Sequence, residues 1–353
     1  MAAEKHRTNL YVGLAAEGEY TGPGGLFRRA DGEEGWTDIS KGLPETPQVR
    51  ALAVHPETPN VVYAGTQDGV YRSDDRGGHW EALGMDKPGV GVWSLAFHPK
   101  DPNIVFAGYE PCEIHRTLDG GSSWKKMDTS EVRFPHITTY MPPTEKRVLE
   151  IAIDPSDPLD MYAAIEVGGL LGSRDGGESW KCLTDGPYVW NNSLDLHGVQ
   201  VSTAAPGTVF IVAQIGMFVS RDRGDRWEHV QIPEQFKGGS YCRDIMVSPD
   251  DPRTMYLAAS AGGGGAPAGT KDAGGLFRTR DLWETWEQLD LGEVPDSRTF
   301  EVSIDRAAPS HVYCGALMGP VYSSYDGGES WTNSQVPVEK MSRNHHIYAM
   351  ACG

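Results

Sequence analysis

The stretch Ser73-Asp74-Asp75-Arg76-Gly77-Gly78-His79-Trp80 decides how this sequence is read, because it does not occur once. It returns at 117–124 (TLDGGSSW), 173–180 (SRDGGESW), 220–227 (SRDRGDRW) and 324–331 (SYDGGESW). Two degenerate copies stand at 279–286 (TRDLWETW), where Trp283 replaces the glycine, and at 29–36 (RADGEEGW). The seven tryptophans, Trp36, Trp80, Trp124, Trp180, Trp227, Trp286 and Trp331, are spaced 44, 44, 56, 47, 59 and 45 residues apart. A period near 45 residues with longer units carrying insertions is the length of a four-stranded propeller blade.

Each unit repeats one strand plan. After Trp36, residues 49–55 read as strand A, 60–66 as B, 69–73 as C and 80–83 as D. The A–B turn is a proline-rich tetrad that recurs after His55, His98, Asp154 and Ser248, and proline presets the backbone for such turns. Residues 346–353 align with the A strands, and 9–13, 25–29 and 36–39 with B, C and D. One blade is therefore built from both ends of the chain, which removes the exposed edges of an open array. The fold class is all-β: one domain over residues 1–353, a seven-bladed β-propeller of four-stranded antiparallel blades, closed by a C-terminal strand A joining N-terminal strands B–D.

The boxes, Ser/Thr-x-Asp-x-Gly-x-x-Trp, resemble the Asp-box or BNR repeat found in sialidases, the sortilin head domain, tandem-propeller xyloglucanases and a photosystem II assembly propeller. The resemblance spans essentially the whole chain and implies the fold. Function is not implied, because enzymes, receptors and assembly factors share the repeat. Asp75, Asp119, Asp175, Asp222, Asp281 and Asp326 read as structural acceptors for their own turns, and the D-x-[DN]-x-[DN]-G spacing of a calcium loop is absent.

Composition narrows the partners. The 353 residues carry a net charge of −18, which disfavours nucleic acid and anionic membrane surfaces. No apolar run is long enough to span a bilayer, and residues 1–8 lack the apolar core of a signal peptide. Five cysteines, never in a C-x-x-C pair, fit a reduced compartment, so a cytoplasmic location is expected. Oligomeric state is not legible. The 43 glycines and 24 prolines match a chain of many tight turns.

Strand direction places the D–A and B–C loops on one face and the A–B turns on the other. The insertions, 128–146, 185–195, 233–240 and 336–344 between D and A, 15–24 and 260–274 between B and C, all fall on the first face. That face is where a ligand site is expected, since sites live on loops carried by a rigid scaffold. Alignment of the A strands gives a second column, Arg50, Trp93, Leu149, His197, Arg243, Phe300 and Ile347, and a third, Ala51, Ser94, Glu150, Gly198, Asp244, Glu301 and Tyr348. Just before them stand Arg147, Asp195, Tyr241, Arg298, His345 and His346, and Gln67, Glu110, Glu166 and Gln214 end the B strands. Carboxylates on the innermost strand are unexpected, because neighbouring blades should bury apolar side chains there.

Two readings of these residues compete. In one, Arg50, Arg147, Arg243 and Arg298 pair with Glu150, Asp244 and Glu301 and clasp adjacent blades. In the other, Glu150, His197, Asp244, Glu301, His345 and His346 converge on an axial divalent metal, Mn, Ca, Mg or Zn. Tyr348, His197 and Glu301 would then be catalytic, and Arg50, Arg147, Arg243, Arg298, Trp93 and Tyr241 would bind substrate. The leading expectation is a metal-dependent hydrolase or lyase acting on a small anionic or sugar-derived ligand. A sialidase-like glycosidase would instead draw on Arg50, Arg243, Arg298, Tyr348 and Glu301, although those sialidases have six blades and an Arg-Ile-Pro motif absent here. The xyloglucanase reading is weaker, since that family builds its cleft between two propellers. A non-catalytic peptide- or glycan-recognition propeller would present Trp93, Tyr140, Tyr188, Trp190 and Phe236. The glycine-rich segment 261–275 lacks the ending of a phosphate-binding loop, and His55, His98 and His311 fall at the turn end as structural residues.

Overall fold

The computed structural model describes residues 7–16, 24–84, 89–134, 146–183, 195–232, 236, 240–262, 273–338 and 345–353. Its strands form seven four-stranded antiparallel sheets in propeller order. Blade 1 joins His346–Cys352 to Asn9–Ala15, Gly25–Ala30 and Thr37–Asp38. Asn9 and Gly353 exchange reciprocal backbone hydrogen bonds of 2.9 and 3.1 Å at the seam. The innermost strands of blades 2 to 7 are Ala51–Val54, Gly91–His98, Arg147–Ile153, Leu196–Val201, Ser240–Val247 and Thr299–Ile304. Second strands such as Val209–Ala213 and Val312–Ala316 are buried throughout, because each blade is covered on both faces by its neighbours. The outermost strands are two or three residues long and largely exposed.

The box turns behave as their sequence implies. In blade 4, Ser173 Oγ donates to Asp175 Oδ1 (2.7 Å) and accepts from Gly177 N (2.9 Å), while Ser179 N donates to the same carboxylate oxygen (3.0 Å). Trp180 closes the turn by donating to Gly177 O (3.0 Å). Gly121 shows why the fifth position is glycine: φ is +101°, and a Cβ there would come within 2.4 Å of Leu83 in the preceding blade. The degenerate box of blade 6 keeps the aspartate pattern, with Thr279 and Thr285 N on Asp281 Oδ1, but Leu282 takes a positive φ of 72°. In blade 1 the aspartate has changed task, and Asp31 contacts Tyr313 Oη and His311 of blade 7.

A feature not read from the sequence links the boxes to each other. A strand-C arginine donates to a carbonyl of the next blade's box turn: Arg28 to Arg76 O (2.9 Å), Arg72 to Gly120 O (3.1 Å) and Arg278 to Gly327 O (2.5 Å). In blade 4, where Gly172 occupies that strand position, Arg174 reaches Arg223 O (2.6 Å) instead. Tyr63 and Tyr256 add hydroxyl donations to the same carbonyls, each at 2.9 Å. His55 and His98 accept from the backbone of their own A–B turns, in keeping with a structural role.

Candidate functional site on the propeller axis

The innermost strands carry one repeated irregularity. In six blades a residue is skipped in the pairing with the second strand, and the skipped residues are Trp93, Leu149, His197, Arg243, Phe300 and Tyr348. In blade 2, Arg50 stands directly before the paired Ala51, and its N–H donates to Gly65 O. A β-bulge bends the strand and re-aims a side chain, and here it turns one residue per blade into a ring about the axis. The closing strand corrects the column alignment. Ala349, not Tyr348, pairs opposite Gly13 and completes the column of Ala51, Ser94, Glu150, Gly198, Asp244 and Glu301. Tyr348 belongs to the ring in place of Ile347.

The ring is a stacked belt. The Arg50 guanidinium lies 4.7 Å from the Trp93 ring and 5.6 Å from that of Tyr348, and Arg147 lies 4.5 Å from Trp93. Arg243 lies 4.2 Å from Phe300, which meets Tyr348 edge-on at 5.6 Å. Such cation–π contacts strengthen as water is excluded, and Arg50, Trp93, His197, Arg243 and Phe300 are all less than a tenth exposed.

On the A–B-turn side of this belt is a cavity of about 640 Å3, walled by the innermost strands down to Pro99, Pro155, Pro249 and Pro252. Arg50, Trp93, His197, Arg243 and Tyr348 roof it, and Glu150, Asp244 and Glu301 face it. The cavity therefore runs toward the short turns, whereas the sequence pointed to the loop-bearing face. The ring explains the difference: large side chains aimed inward by the bulges fill the axis at that level. Most of the insertions, with Tyr140, Tyr188 and Trp190, lie outside the described residues. Phe236 is buried against Phe277, 6.0 Å between ring centroids, and so belongs to the core and not to a presenting surface.

The three carboxylates are interblade contacts as well as cavity walls. Glu150 of blade 4 accepts from Val199 N (2.7 Å) and the Gln200 amide (2.5 Å) of blade 5; Asp244 of blade 6 accepts from Val302 N (2.7 Å) of blade 7. Gly198 makes room for the first of these, since a Cβ there would stand 2.8 Å from Glu150 Oε2. Arg243 reaches back to His197 O (3.2 Å) and forward to Glu301 (3.6 Å). The clasp expected from arginine–carboxylate pairing is thus made mainly by backbone N–H donors. Burial pushes the Glu150 carboxyl up to about 8, helped by the Asp244 charge and opposed by its hydrogen bonds. Burial also raises Asp244 and Glu301, the latter against the pull of Arg243. One guanidinium among three carboxylates stabilises one negative charge and leaves further ionisation opposed.

A separate tier lies on the loop side of the ring. Arg147 bridges Glu110 (3.0 Å) and Glu166 (2.7 Å), the strand-B glutamates, and so does not pair with Glu150. Trp93 Nε1 donates to Glu110 (3.0 Å). Tyr241 packs between the His197 ring (4.5 Å) and the Arg298 guanidinium (4.3 Å). Arg298 thus stands one tier away from Arg50 and Arg243, unlike the three-arginine clamp of the sialidase reading. His346 is buried with its ring 5.8 Å from Tyr348, and His345 precedes it on the same side. The metal-ligand set is therefore divided between tiers, and among the described residues no three His, Cys, Asp or Glu side chains stand together as metal ligands. The expected donor set is thus not gathered into one metal site among the described residues.

No family model matches the chain. Curated relatives are the oligoxyloglucan-reducing end-specific xyloglucanase of Emericella nidulans, 24% identical over 216 residues covering 51% of this chain and 26% of that one, and xyloglucanase Xgh74A of Acetivibrio thermocellus, 24% identical with 55% and 23% covered. The chain spans about a quarter of the length of these relatives. Among solved structures, a GH74 enzyme of Niastella koreensis superposes with a TM-score of 0.62 at 20% identity, covering 82% of this chain and 45% of that one. YCF48 from Cyanidioschyzon merolae superposes with a TM-score of 0.55 at 16% identity, covering 83% and 86%. The fold is thus that of one seven-bladed propeller resembling those of GH74 xyloglucanases.

Proposed function

We propose that the protein is a glycoside hydrolase that takes carbohydrate into the axial cavity and cleaves it with the Glu150, Asp244 and Glu301 cluster. The similarity to xyloglucanases supports a sugar substrate. The observation that carries the reading is the cluster itself: three carboxylates, with Arg243 beside Glu301, facing a cavity large enough for a short saccharide. Glycoside hydrolysis needs one protonated and one ionised carboxyl at the same pH. Here Glu150, held up to about 8, is protonated at neutral pH. Glu301 stands 3.6 Å from Arg243, whose charge pulls that carboxyl down against the burial that raises it and is the counter-charge for an ionised base.

In the reaction Glu150 gives its proton to the glycosidic oxygen as the bond to the anomeric carbon breaks. Water adds to that carbon and its proton passes to Glu301. Asp244 accepts from Val302 N and holds the contact between blades 6 and 7 beside the pair. Trp93 and Tyr348 supply apolar surface above the saccharide, and Arg50 lies over both rings. The test is release of reducing ends from xyloglucan-, cello- and chito-oligosaccharides. Wild-type turnover that falls at least 100-fold in both Glu150→Gln and Glu301→Gln supports the reading. Saccharide binding without turnover in the wild type would leave a recognition propeller, and unchanged turnover in both variants would remove the cluster from the reaction.

A further inference from the structure

The loop-side tier contains a buried group that the cavity reaction does not use. Asp195 is 8% exposed, and its Oδ1 has no hydrogen-bond partner among the described residues. A buried carboxylate oxygen without a donor is costly, and such an exception in a folded protein calls for a ligand or a function. Its backbone is fixed, because Gln214 N donates to Asp195 O (3.1 Å). Its other oxygen lies 3.8 Å from His197 Nε2, too far for a hydrogen bond. His197 Nδ1 is 2.7 Å from Cys242 O, so in the neutral imidazole Nδ1 carries the proton and Nε2 is an acceptor. Two acceptors, a carboxylate and an imidazole nitrogen, thus stand close together beside Tyr241.

Among the described residues the charges around them balance. Glu110, Glu166 and Asp195 are matched by Lys146, Arg147 and Arg298: Arg147 bridges the two glutamates, Arg298 lies on Tyr241, and Asp195 and Glu166 act on Lys146 against the effect of its burial. A balanced cluster gives little net attraction to an ion. Unsatisfied acceptors in such a setting suit hydroxyl donors of a neutral polyol.

We propose that the loop side of the ring is a second saccharide-binding position, in which Asp195 Oδ1 and His197 Nε2 accept hydroxyls of a neutral sugar. It rests on the carbohydrate reading above but not on the cavity chemistry. The ring of nearly buried side chains separates it from Glu150, Asp244 and Glu301, so each position holds its own saccharide. Asp195 supplies the loop-side contact and takes no part in proton transfer in the cavity.

The experiment is calorimetric titration of xyloglucan-, cello- and chito-oligosaccharides into the Glu301→Gln chain, which isolates binding, followed by the same titration of Glu301→Gln/Asp195→Asn. The expected result is two saccharides per chain in the first and one in the second, with Tm held because Oδ1 has no hydrogen bond to lose. Equal stoichiometry in the two chains overturns the second position while leaving the hydrolase reading intact. A Tm loss of more than about 5 °C in Asp195→Asn shows a structural carboxylate and also overturns it. Binding of Ca2+ or Mn2+ that vanishes with Asp195→Asn overturns the sugar assignment in favour of a cation. Turnover that survives Glu301→Gln removes the cavity mechanism alone, because the stoichiometry still reads the loop-side position.

Discussion

The box turns at the periphery and the carboxylates at the axis are both rich in acidic side chains, yet their carboxyls are shifted in opposite directions, by hydrogen bonds in the first and by burial in the second. Asp75, Asp119 and Asp326 are exposed and ringed by donors, and hydrogen bonds from His79, Ser123 and Ser330 hold them down to about 2. Glu150, Asp244 and Glu301 line a cavity wall, and burial holds them up. The first set repeats from blade to blade and the second occurs in three blades only. Repetition therefore marks what every blade needs in order to stack, and departure from it marks what the axis is for.

The largest expected effect breaks the axial half of this contrast. Glu301→Gln lowers turnover by at least 100-fold with folding intact, measured as reducing-end release beside circular dichroism. Next comes the peripheral half. Trp180 is 1% exposed and donates to Gly177 O, so Trp180→Ala costs about 3–5 kcal/mol in denaturant unfolding, as for a large core truncation. Gly121→Val, at φ +101° against Leu83, costs about 1–3 kcal/mol by the same measurement.

The smallest effect sharpens the comparison most, because its sign differs between the regions. A carboxyl raised in the folded state contributes stability below its unfolded value that is lost as pH rises through the folded one. For Glu150 that window runs from 4.5 to about 8. Tm should fall across it, and Glu150→Gln should flatten the fall. A carboxyl lowered in the folded state contributes above its unfolded value and loses that as pH drops. For Asp326 the window runs from 3.8 to about 2, and Asp326→Asn should flatten the acid limb only. A variant that flattens the opposite limb breaks the contrast.

The fold was legible because its signal is periodic: seven tryptophans, proline turns and a split blade need no side-chain detail. The site was legible in part. Glu150, Asp244 and Glu301 stood out as polar residues in an apolar column, and Glu110 and Glu166 as the ends of strand B. Two things were hidden. The bulge adds one residue to the innermost strand, and in residues 346–353, where no proline turn follows to anchor the alignment, Tyr348 slipped by one position. The end of the axis that holds the cavity depends on the summed volume of seven ring residues from seven blades, which no single strand reports. The strand-C arginines were missed because their acceptors are carbonyls in the next repeat, and a backbone acceptor leaves no trace in residue type.

The seam of blade 1 has a consequence for the order in which the protein comes into being. The strand that completes it carries Tyr348 and lies at the opposite end of the chain from its partners. Six blades can stack from largely local hairpins, but the belt that roofs the cavity lacks a member until the most distant pairing in the molecule forms. Contacts of such separation form slowly, since a long loop must close first. During synthesis the cavity therefore acquires its complete roof last, so a nascent chain with most of its blades assembled would still hold an open cavity.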